Sequence, residues 1–360
     1  MSGTSLDGID AVLADFTPGA RPCTLLAATH IAFPSDLRRD LLALQSSGDD
    51  ELVRAGRAAN GLADLYVHAL RSLCRAADIE EHDVVAAGVH GQTVRHRPQE
   101  GFTVQINNAA RVAERAYMTI VADFRMRDIA AGGQGAPLVP AFHAAMFASP
   151  ERHRVIANIG GIANVTDLPA RGAVRGWDTG PGNVLLDTWF ARHHNATYDE
   201  RGQHAASGIV DETLLAELLR EQYFTQPPPK STGRDLFNAA WLDAAIARRR
   251  WSGRGEDGQA TLAALTARTL ADAIRTHCKG AQELFVCGGG AKNADLMQRI
   301  AAALPKLTVA TTDAVGVASE NVEALAFAWL AREAIAGRPG NLPAVTGAVG
   351  PRVLGAIYPR

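Results

Sequence analysis

Several signals are missing from this sequence, and each absence excludes a class of protein. No run of about 18 apolar residues occurs, so no transmembrane helix is expected. The first residues lack the basic and apolar regions of a signal peptide, which favours a cytoplasmic location. The chain has 4 cysteines and no CxxC pair, a pattern typical of reduced, mostly buried thiols.

The sequence also lacks an excess of charge of either sign. Lys and Arg total 36 and Asp and Glu total 38, which gives a net charge of −2. Such a chain has no strong overall field to hold nucleic acid or an anionic membrane, so neither partner is expected. The apolar fraction of 47% and the charged fraction of 21% are typical of a globular protein, and 360 residues suit two domains.

The common nucleotide-binding signatures are absent as well. Neither GxxxxGK[ST] nor a GxGxxG after a strand occurs, which excludes a P-loop enzyme and an ordinary dinucleotide-binding dehydrogenase. Instead, glycine-rich turns occur at residues 2–8, 158–164 and 287–293. Glycine lets backbone N–H groups approach phosphate oxygens, and such turns and helix N-termini favour anions. One such turn is most often only a tight turn, but three in this order predict a phosphate site.

Strand and helix patterns alternate in two successive blocks, each opening with two strands joined by a turn. The first block opens at residues 9–16 and 23–33 and continues into a long helix at 51–77; the second opens at 154–159 and 162–168. This order predicts an α/β architecture with two mixed sheets. Further strands are predicted at 84–90, 102–106, 118–122, 174–177, 283–287 and 307–311, and further helices at 37–44, 109–115, 138–147, 182–193, 212–221, 239–250, 262–279, 293–304 and 321–336. The glycines at 132–135 suggest a crossing between domains.

Long strings in a fixed order give the sequence a resemblance to the anhydro-N-acetylmuramic acid kinase family over essentially the whole chain. The strings are MSGTSLDGID (1–10), HGQTVRH (90–96), VADFRMRDIAAGGQGAPLVP (121–140), NIGGIANVT (158–166), WDTGPGNVLLD (177–187), KSTGRDLFN (230–238), CGGGAKN (287–293) and EALAFAWL (323–330). The resemblance implies a two-domain actin-like ATPase (ribonuclease H-like) fold, with mixed sheets flanked by helices and a central cleft. It implies an N-terminal domain of residues 1–127 plus about 340–360, and a C-terminal domain of 128–339.

The resemblance also implies a reaction. Enzymes of this family convert 1,6-anhydro-N-acetylmuramic acid, ATP and water into N-acetylmuramic acid 6-phosphate and ADP, a step in peptidoglycan recycling. ATP and Mg²⁺ are therefore the expected cofactors, an anhydro-amino-sugar the expected small-molecule partner, and a homodimer the expected assembly. The family has apolar residues before the first string that form a strand, and this sequence begins inside that string. We therefore expect a truncated first strand, and expect residues that restore it to raise stability and ATP affinity.

Asp178 is the expected catalytic residue, because the family's aspartate at this place in the WDTGPGN string is the general base. A positioned carboxylate removes the proton of the water that attacks the anomeric carbon while the C1–O6 bond breaks. The freed O6 then attacks the γ-phosphate of ATP. From the residues alone, an aspartate that caps the following helix is an alternative.

The resemblance places ATP on the three glycine-rich segments, with Asn293 near the adenosine. The expected ATP-binding residues are Gly3, Thr4, Ser5, Leu6, Asp7, Gly8, Ile9, Asp10, Asn158, Gly160, Gly161, Gly288, Gly289, Gly290 and Asn293. Relatives in the wider superfamily often carry aspartate where Asn158 stands, and asparagine supplies no charge to a metal. Asp7 and Asp178 are therefore the expected Mg²⁺ ligands, directly or through water.

Sugar recognition is expected from side chains in the matching strings: His90, Gln92, Thr93, Arg125, Arg127 and Glu323. An arginine fork suits the lactyl carboxylate of the sugar. Alternatives stay open for each type: ion pairs for the arginines, a core position for His90, and a favourable helix-dipole position for Glu323. Lys230 and Arg234 either reach substrate or phosphate or belong to a solvated loop.

Other functions remain to be weighed against this one. A second small-molecule kinase activity in the same superfamily is one alternative, and an Hsp70-like nucleotide-gated interaction protein is another. The metal-dependent tRNA-modifying branch requires two closely spaced histidines on a helix. Neither His90 with His96 nor His193 with His194 fits that requirement.

Overall fold

The computed structural model describes residues 1–3, 6–17 and 23–360, which form strands and helices in alternation. The strands are β1 Gly8–Asp15, β2 Thr24–Ala32, β3 Ala87–Gly88, β4 Gln92–Arg97, β5 Phe102–Ile106, β6 Ile120–Ala122, β7 Arg154–Ile159, β8 Ile162–Leu168, β9 Arg175–Pro181, β10 Glu283–Cys287, β11 Thr308–Thr311 and β12 Ala356–Tyr358. The helices are α1 Ser35–Ala43, α2 Glu51–Ala77, α3 Ala109–Ala116, α4 Met126–Ala130, α5 Val139–Phe147, α6 Val184–His193, α7 Gln203–Ser207, α8 Glu212–Leu218, α9 Ala239–Arg249, α10 Gly255–His277, α11 Ala294–Ala303, α12 Val322–Ile335 and α13 Pro343–Thr346.

The chain divides into two compact units. Unit 1 comprises Met1–Met146 and Asn321–Arg360, and unit 2 comprises Phe147–Glu320. These divisions differ from the predicted domain limits of 1–127 with about 340–360, and 128–339, because α12 and most of α5 belong to unit 1. Helix α12 is largely buried and packs on β1, β3 and β6.

The glycine cluster at 132–135 lies inside unit 1 and does not mark the crossing between the units. Its position is fixed by Asp128, which is fully buried. The backbone N–H of Gly135 donates to Asp128 Oδ2 at 2.8 Å, while Asn341 Nδ2 and Thr346 Oγ1 donate to Oδ1 at 2.7 and 2.8 Å. One satisfied carboxylate therefore ties the cluster to the C-terminal segment of the same unit.

Unit 1 is built around the long helix α2. Its apolar face, with Leu62, Ala63 and Tyr66 buried, packs against the antiparallel hairpin of β1 and β2. A second sheet has the order β12-β6-β3, in which β3 runs parallel and β12 antiparallel to β6, and β4 and β5 form a separate hairpin. Burial of the α2 face supplies much of the core, since each large apolar side chain contributes about 1.5–3 kcal/mol.

Unit 2 is built on one five-stranded mixed sheet with the order β11-β10-β7-β8-β9. Strand β10 is parallel to β7 and β11, whereas β8 is antiparallel to β7 and β9. Because β7 and β10 are parallel, the turns that follow them lie side by side at the carboxyl ends of these strands. We call this end of the sheet the glycine edge. Helices α10 and α11 cover the sheet with apolar side chains.

These sheets confirm the predicted α/β fold class with mixed sheets and flanking helices. Unit 2 combines parallel and antiparallel pairs in one sheet, and the three-stranded sheet of unit 1 does the same. In the part of the chain that the structure describes, no helix has the length and apolar character needed to cross a membrane.

Candidate functional site

Asp178 lies within β9, whereas the predicted strand at 174–177 ends just before it. Its backbone N–H donates to the carbonyl of Lys230 at 3.2 Å, and its carbonyl accepts a hydrogen bond from the Tyr223 hydroxyl at 2.8 Å. Strand β9 is the last strand of the five-stranded sheet, so its outer side is available to these partners. Both the N–H and the carbonyl of Asp178 are thus held by the segment on the outer side of β9.

The Asp178 carboxylate is held by two neutral donors. The hydroxyl of Ser231 and the backbone N–H of Thr232 both donate to Oδ2 at 2.9 Å. Burial raises the pKa of Asp178, and these two hydrogen bonds and the charge of Lys230 oppose that rise. A carboxylate with a raised pKa is a stronger base and is typical of catalytic positions.

The alternative of Asp178 as a helix cap does not hold. The following helix α6 begins at Val184 with Asn183 at its N-cap position. Asp178 lies in the strand and contributes no cap hydrogen bond to this helix. Its contacts are with the segment after Tyr223, so the geometry favours a role in chemistry over a role in helix capping.

Two turns of unit 2 interlock beside β9. The backbone N–H groups of Gly182 and Asn183 donate to the carbonyls of Gly161 and Gly160 at 2.9 and 2.8 Å, and Asn183 Nδ2 donates to the Ile159 carbonyl at 3.2 Å. A Cβ atom added at Gly182 would lie 2.3 Å from the Gly160 carbonyl oxygen. The turn between β7 and β8 therefore packs so closely against residue 182 that this position requires glycine.

The third glycine turn packs against the same residues. Gly288 has φ +81°, and a Cβ atom there would lie 2.4 Å from Asn158 Oδ1, while one at Gly290 would lie 2.4 Å from Ile159 Cγ2. Both glycines are thus required by packing. In contrast, a Cβ atom at Gly160 or Gly161 would have no neighbour closer than 3.7 Å, and one at the exposed Gly289 none closer than 3.5 Å.

These distances divide the predicted phosphate-binding glycines into two groups. Gly288 and Gly290 hold the turns together, whereas Gly160, Gly161 and Gly289 leave space in front of their backbones. Open backbone at a glycine turn is what a phosphate group requires, since its oxygens accept hydrogen bonds from N–H groups. The fold thus brings the second and third predicted turns together at the glycine edge.

Asn293, predicted near the adenosine, is the N-cap residue of α11. Its Oδ1 accepts a hydrogen bond from the Leu296 backbone N–H at 2.9 Å. A Cβ atom at Gly202 would lie 2.0 Å from that oxygen, so this neighbour packs tightly against the cap. The geometry accounts for Asn293 structurally, and contact with a nucleotide stays a prediction.

The first glycine segment belongs to unit 1, and Thr4 and Ser5 lie outside the described residues. Leu6 and Ile9 are buried core residues, so any contact that they make with ATP would come from the backbone. Gly8 pairs with Ala32 in the hairpin, where a Cβ atom would lie 2.3 Å from a strand carbonyl oxygen. Asp7 is exposed, and Asp10 is exposed and pairs with His30 at 2.8 Å.

The described residues contain no group of three or more His, Cys, Asp or Glu side chains arranged to hold a metal ion. Magnesium is commonly bound by one or two carboxylates together with substrate phosphates and water. A single carboxylate, such as the exposed Asp7 or the partly buried Asp178, fits that mode of binding. The residues present are consistent with a metal that arrives with a nucleotide, and they do not form an all-protein cage.

Three of the predicted sugar-binding residues come together in unit 1. Arg125 Nε and Nη2 donate to His90 Nε2 at 3.2 and 3.0 Å, and Nη1 donates to the Gly135 carbonyl at 2.8 Å. Burial lowers the pKa of His90 well below its usual value and lowers the pKa of Arg125 to about 10, while the charge of Glu323 opposes the change at Arg125. Arg125 is therefore a partly buried cation whose histidine partner is neutral and on which the charge of Glu323 acts.

The remaining candidates differ in their surroundings. Gln92 is buried, and its Nε2 donates to the Gly3 carbonyl at 3.2 Å, which links β4 to the first glycine segment. Thr93 Oγ1 accepts a hydrogen bond from Gln105 within the β4–β5 hairpin. Arg127 is exposed on α4, and within the described residues no hydrogen bond connects it to His90 or Arg125.

The contacts of Ser231, Thr232 and Tyr223 with Asp178 were missed by sequence reasoning. From the same segment only Lys230 and Arg234 had been singled out. Lys230 Nζ donates to the Tyr223 carbonyl at 2.9 Å and lies 4.5 Å from the centre of the Tyr223 ring, so it is partly enclosed by its own segment. The available signal was the string KSTGRDLFN, whose polar residues follow three prolines.

Arg234 lies beside the second glycine turn. Its Nη2 would be 3.7 Å from a Cβ atom at Gly161. Burial raises the pKa of Asp187 to about 6, and the positive charge of Arg234 acts against that rise. This cation is therefore close enough to the turn to interact with an anion held there.

Comparison with known proteins gives one consistent family. The family model described as anhydro-N-acetylmuramic acid kinase matches residues 1–360. Proteins named anhydro-N-acetylmuramic acid kinase from Thiobacillus denitrificans, Burkholderia thailandensis and Ralstonia nicotianae are 56%, 54% and 53% identical to this chain, covering 100% of it and 96% of each relative.

Similarity to solved structures is much lower. A ROK family glucokinase from Streptomyces griseus in complex with glucose and AMPPNP has a TM-score of 0.39 and 14% identity, over 86% of this chain and 92% of that one. An activator of 2-hydroxyisocaproyl-CoA dehydratase from Clostridium difficile with bound ADPNP has a TM-score of 0.42 and 13% identity, over 87% and 89%. Such values carry no functional conclusion. The family match over the full length does, and the chain belongs to the anhydro-N-acetylmuramic acid kinase family.

Proposed function

We propose that this chain hydrolytically opens 1,6-anhydro-N-acetylmuramic acid and phosphorylates its O6 with ATP, which yields N-acetylmuramic acid 6-phosphate and ADP in peptidoglycan recycling. Membership of the kinase family supports the reaction. The observation that carries the chemistry is the Asp178 carboxylate, which is fixed through Oδ2 and has a pKa raised by burial.

In this proposal, Asp178 acts as a general base through Oδ1. A water molecule attacks the anomeric carbon and gives its proton to the carboxylate, while the C1–O6 bond breaks. The freed O6 attacks the γ-phosphorus of ATP, and the bond to ADP breaks. The two steps are coupled because the oxygen released by the first is the nucleophile of the second.

Phosphate binding is assigned to the open glycine backbones. Gly160, Gly161 and Gly289 have the space that phosphate oxygens need, and Arg234 lies beside Gly161 to add positive charge. Magnesium, when bound with ATP, neutralises phosphate charge, and Asp7 and Asp178 are the carboxylates proposed to hold it. The backbone of Gly3–Asp10 in unit 1 is proposed to contribute further phosphate contacts.

Sugar binding is assigned to the group of His90, Arg125 and Glu323. Arg125 remains protonated at neutral pH, since its pKa is lowered only to about 10. Its hydrogen-bond partners His90 and the Gly135 carbonyl are neutral. The guanidinium fork of Arg125 suits the lactyl carboxylate of the sugar, and the nearby charge of Glu323 helps to keep the guanidinium protonated. Gln92, Thr93 and Arg127 complete the proposed set.

We also propose a cytoplasmic location and a homodimer. All 4 cysteines are free and buried in the structure, which is consistent with a reducing compartment. Small-molecule kinases act where ATP is available, and that is the cytoplasm. Size-exclusion chromatography with light scattering tests the dimer, because a monomeric mass at micromolar concentration would exclude it.

The activity is tested by incubating the purified protein with ATP, Mg²⁺ and 1,6-anhydro-N-acetylmuramic acid while ADP release is followed. We expect ADP and N-acetylmuramic acid 6-phosphate in equal amounts. No ADP above the sugar-free control would overturn the proposed function. Faster ADP release with glucose than with the anhydro-sugar would indicate another small-molecule kinase, and release that no sugar changes would indicate a nucleotide-gated interaction protein.

A further inference from the structure

The segment from Tyr223 to Thr232 surrounds Asp178. The Tyr223 hydroxyl donates to the Asp178 carbonyl, and the Lys230 carbonyl accepts from the Asp178 backbone N–H. The Ser231 hydroxyl and the Thr232 backbone N–H donate to the Asp178 carboxylate. We infer that Ser231 is a positioning residue that orients the Asp178 carboxylate so that Oδ1 receives the proton from water. This inference rests on the proposed function, because it assigns a role within that reaction.

The orientation of the Asp178 carboxylate follows from which of its two oxygens the donors contact. Ser231 Oγ and Thr232 N both contact Oδ2 at 2.9 Å, so the two hydrogen bonds fix the rotation of the carboxylate about its last bond. Oδ2 is then occupied by donors, and Oδ1 is the oxygen available to accept a proton. A base must be held in place to act efficiently, since a misplacement of about 1 Å can cost a factor of roughly 100 in rate.

The same hydrogen bonds set the strength of the base. Burial alone favours the neutral carboxyl group, whereas hydrogen bonds to the ionised form favour the carboxylate. In this protein, burial raises the pKa of Asp178, and the bonds from Thr232 and Ser231 hold it lower than burial alone would. The Ser231 hydrogen bond thus offsets part of the effect of burial on the pKa of Asp178.

The segment has other anchors that do not depend on the Ser231 hydroxyl. Lys230 Nζ donates to the carbonyls of Tyr223 and Phe224 at 2.9 and 3.3 Å. Tyr223 is buried, and its ring packs against Phe237 with centres 5.8 Å apart. Ser231 itself is exposed. Replacing Ser231 therefore removes one donor and leaves the segment in position, so the variant can be interpreted.

The test compares Ser231→Ala, which loses the donor, with Ser231→Thr, which keeps a hydroxyl. Ser207→Ala is the matched control, because the Ser207 hydroxyl is exposed in the same unit and donates to the His204 carbonyl. For Ser231→Ala we expect kcat to fall roughly tenfold while KM for ATP changes less than about twofold, because the carboxylate loses one of the two hydrogen bonds that fix its rotation. Ser231→Thr should recover most of the lost kcat, and Ser207→Ala should match the unmodified protein.

A second measurement does not depend on any substrate. Aspartate labelled with ¹³C at the carboxyl carbon reports the hydrogen bonding of the Asp178 carboxylate by its NMR chemical shift at one fixed pH, with Asp178→Asn used to assign the signal. A shifted Asp178 signal in Ser231→Ala and an unchanged one in Ser207→Ala are the expected results; an unchanged signal in Ser231→Ala, or an unchanged kcat in that variant, overturns the role of Ser231. An inactive unmodified enzyme that still shows the NMR difference would overturn the proposed reaction and retain the Ser231 contact.

Discussion

Two carboxylates lie near opposite ends of the strands in the unit 2 sheet. Asp167 is buried and Asp178 is partly buried, and their hydrogen-bond partners differ. Asp178 in β9, beside the glycine edge, is held by the Ser231 hydroxyl and the Thr232 N–H. Asp167 in β8, at the other edge, is 1% exposed and is bound by His153 Nε2 and Arg175 Nη2, both at 2.5 Å. One carboxylate has neutral partners, and the other has basic ones.

This difference separates a group that is available for chemistry from one that is not. Both Asp167 oxygens are occupied, Oδ1 by His153 and Oδ2 by Arg175, so the group holds two segments of the fold together. Among the residues that the structure describes, both donors to the Asp178 carboxylate contact Oδ2, which leaves Oδ1 for water. Burial alone therefore does not identify a catalytic carboxylate; the charge of the partners and the number of occupied oxygens do.

The surfaces at the two edges differ in the same way. The edge near Asp167 opens into a cavity of about 520 Å³ lined by His153, Arg171, Arg175, His277 and Lys279 among others. Its basic side chains lie around a carboxylate that is already paired. At the glycine edge, open backbones at Gly160 and Gly289 lie near the turns that follow β7 and β10. We therefore expect function to depend on the glycine edge and stability to depend on both.

Replacement of the glycine-edge carboxylate should give the largest effect. Asp178→Asn keeps the shape of the side chain but removes the base, so we expect kcat to fall by at least about 1,000-fold, within the range of roughly 100- to 10,000-fold for general base catalysis. ATP affinity measured without Mg²⁺ should change less than about threefold, and the melting temperature should not fall, since a desolvated charge is removed. Calorimetric titration with a non-hydrolysable ATP analogue and thermal melting provide the checks. Full activity in this variant would exclude Asp178 as the base.

The paired carboxylate should show the opposite pattern. Asp167→Asn leaves the partly buried His153 and the half-exposed Arg175 without a carboxylate, and the loss of these two hydrogen bonds is expected to cost about 1–3 kcal/mol of unfolding free energy. The variant should melt at a lower temperature, yet its kcat and KM, measured well below that temperature, should match those of the unmodified protein. A kcat lowered tenfold at full folding would show that the two edges are coupled and would break the comparison.

Much of the fold could be predicted because its elements follow local patterns. Helix α2 has the predicted limits, and so do strands β5, β7, β8 and β10. The predicted strand at 84–90 was wrong over most of its length, because only Ala87–Gly88 pairs with a neighbouring strand. An apolar run shows that a segment can be buried, but it does not show whether another strand lies beside it.

The start of α10 was also placed too late, at 262 instead of Gly255. Its first turn contains Gly258, where a Cβ atom would lie 2.4 Å from the Trp189 ring. A glycine that is needed for close packing lowers the helical signal in the sequence. Strand β4 was not predicted because its residues are mostly polar.

The site could be predicted only in part, because it is formed by residues that lie far apart in the sequence. Asp178 lies in a string that carries the family resemblance, so the sequence could name it as a candidate, and its catalytic role stays a prediction. Ser231 and Thr232 are 53 and 54 residues away along the chain, and only folding brings them to the carboxylate. The division of the glycines into packed and open positions is equally invisible in sequence, because both kinds occur within one turn.

The smallest effect that separates the two edges comes from the same substitution at two glycines. Gly288 and Gly280 both have positive φ, +81° and +89°, so alanine is strained at either; at Gly288 ψ is −178°, a conformation that is essentially restricted to glycine, and the strain there is about 1–3 kcal/mol. At Gly288 the new Cβ would also lie 2.4 Å from Asn158 Oδ1, whereas at Gly280 the nearest atom, His153 Nδ1, is 3.7 Å away. We expect Gly288→Ala to lose about 2 kcal/mol of stability and to weaken ATP binding several-fold, since displacement of Asn158 moves the phosphate turns. Gly280→Ala should lose only the strain and bind ATP normally. Equal melting temperatures and equal ATP affinities in the two variants would show that the packing of the glycine turns does not shape the nucleotide site.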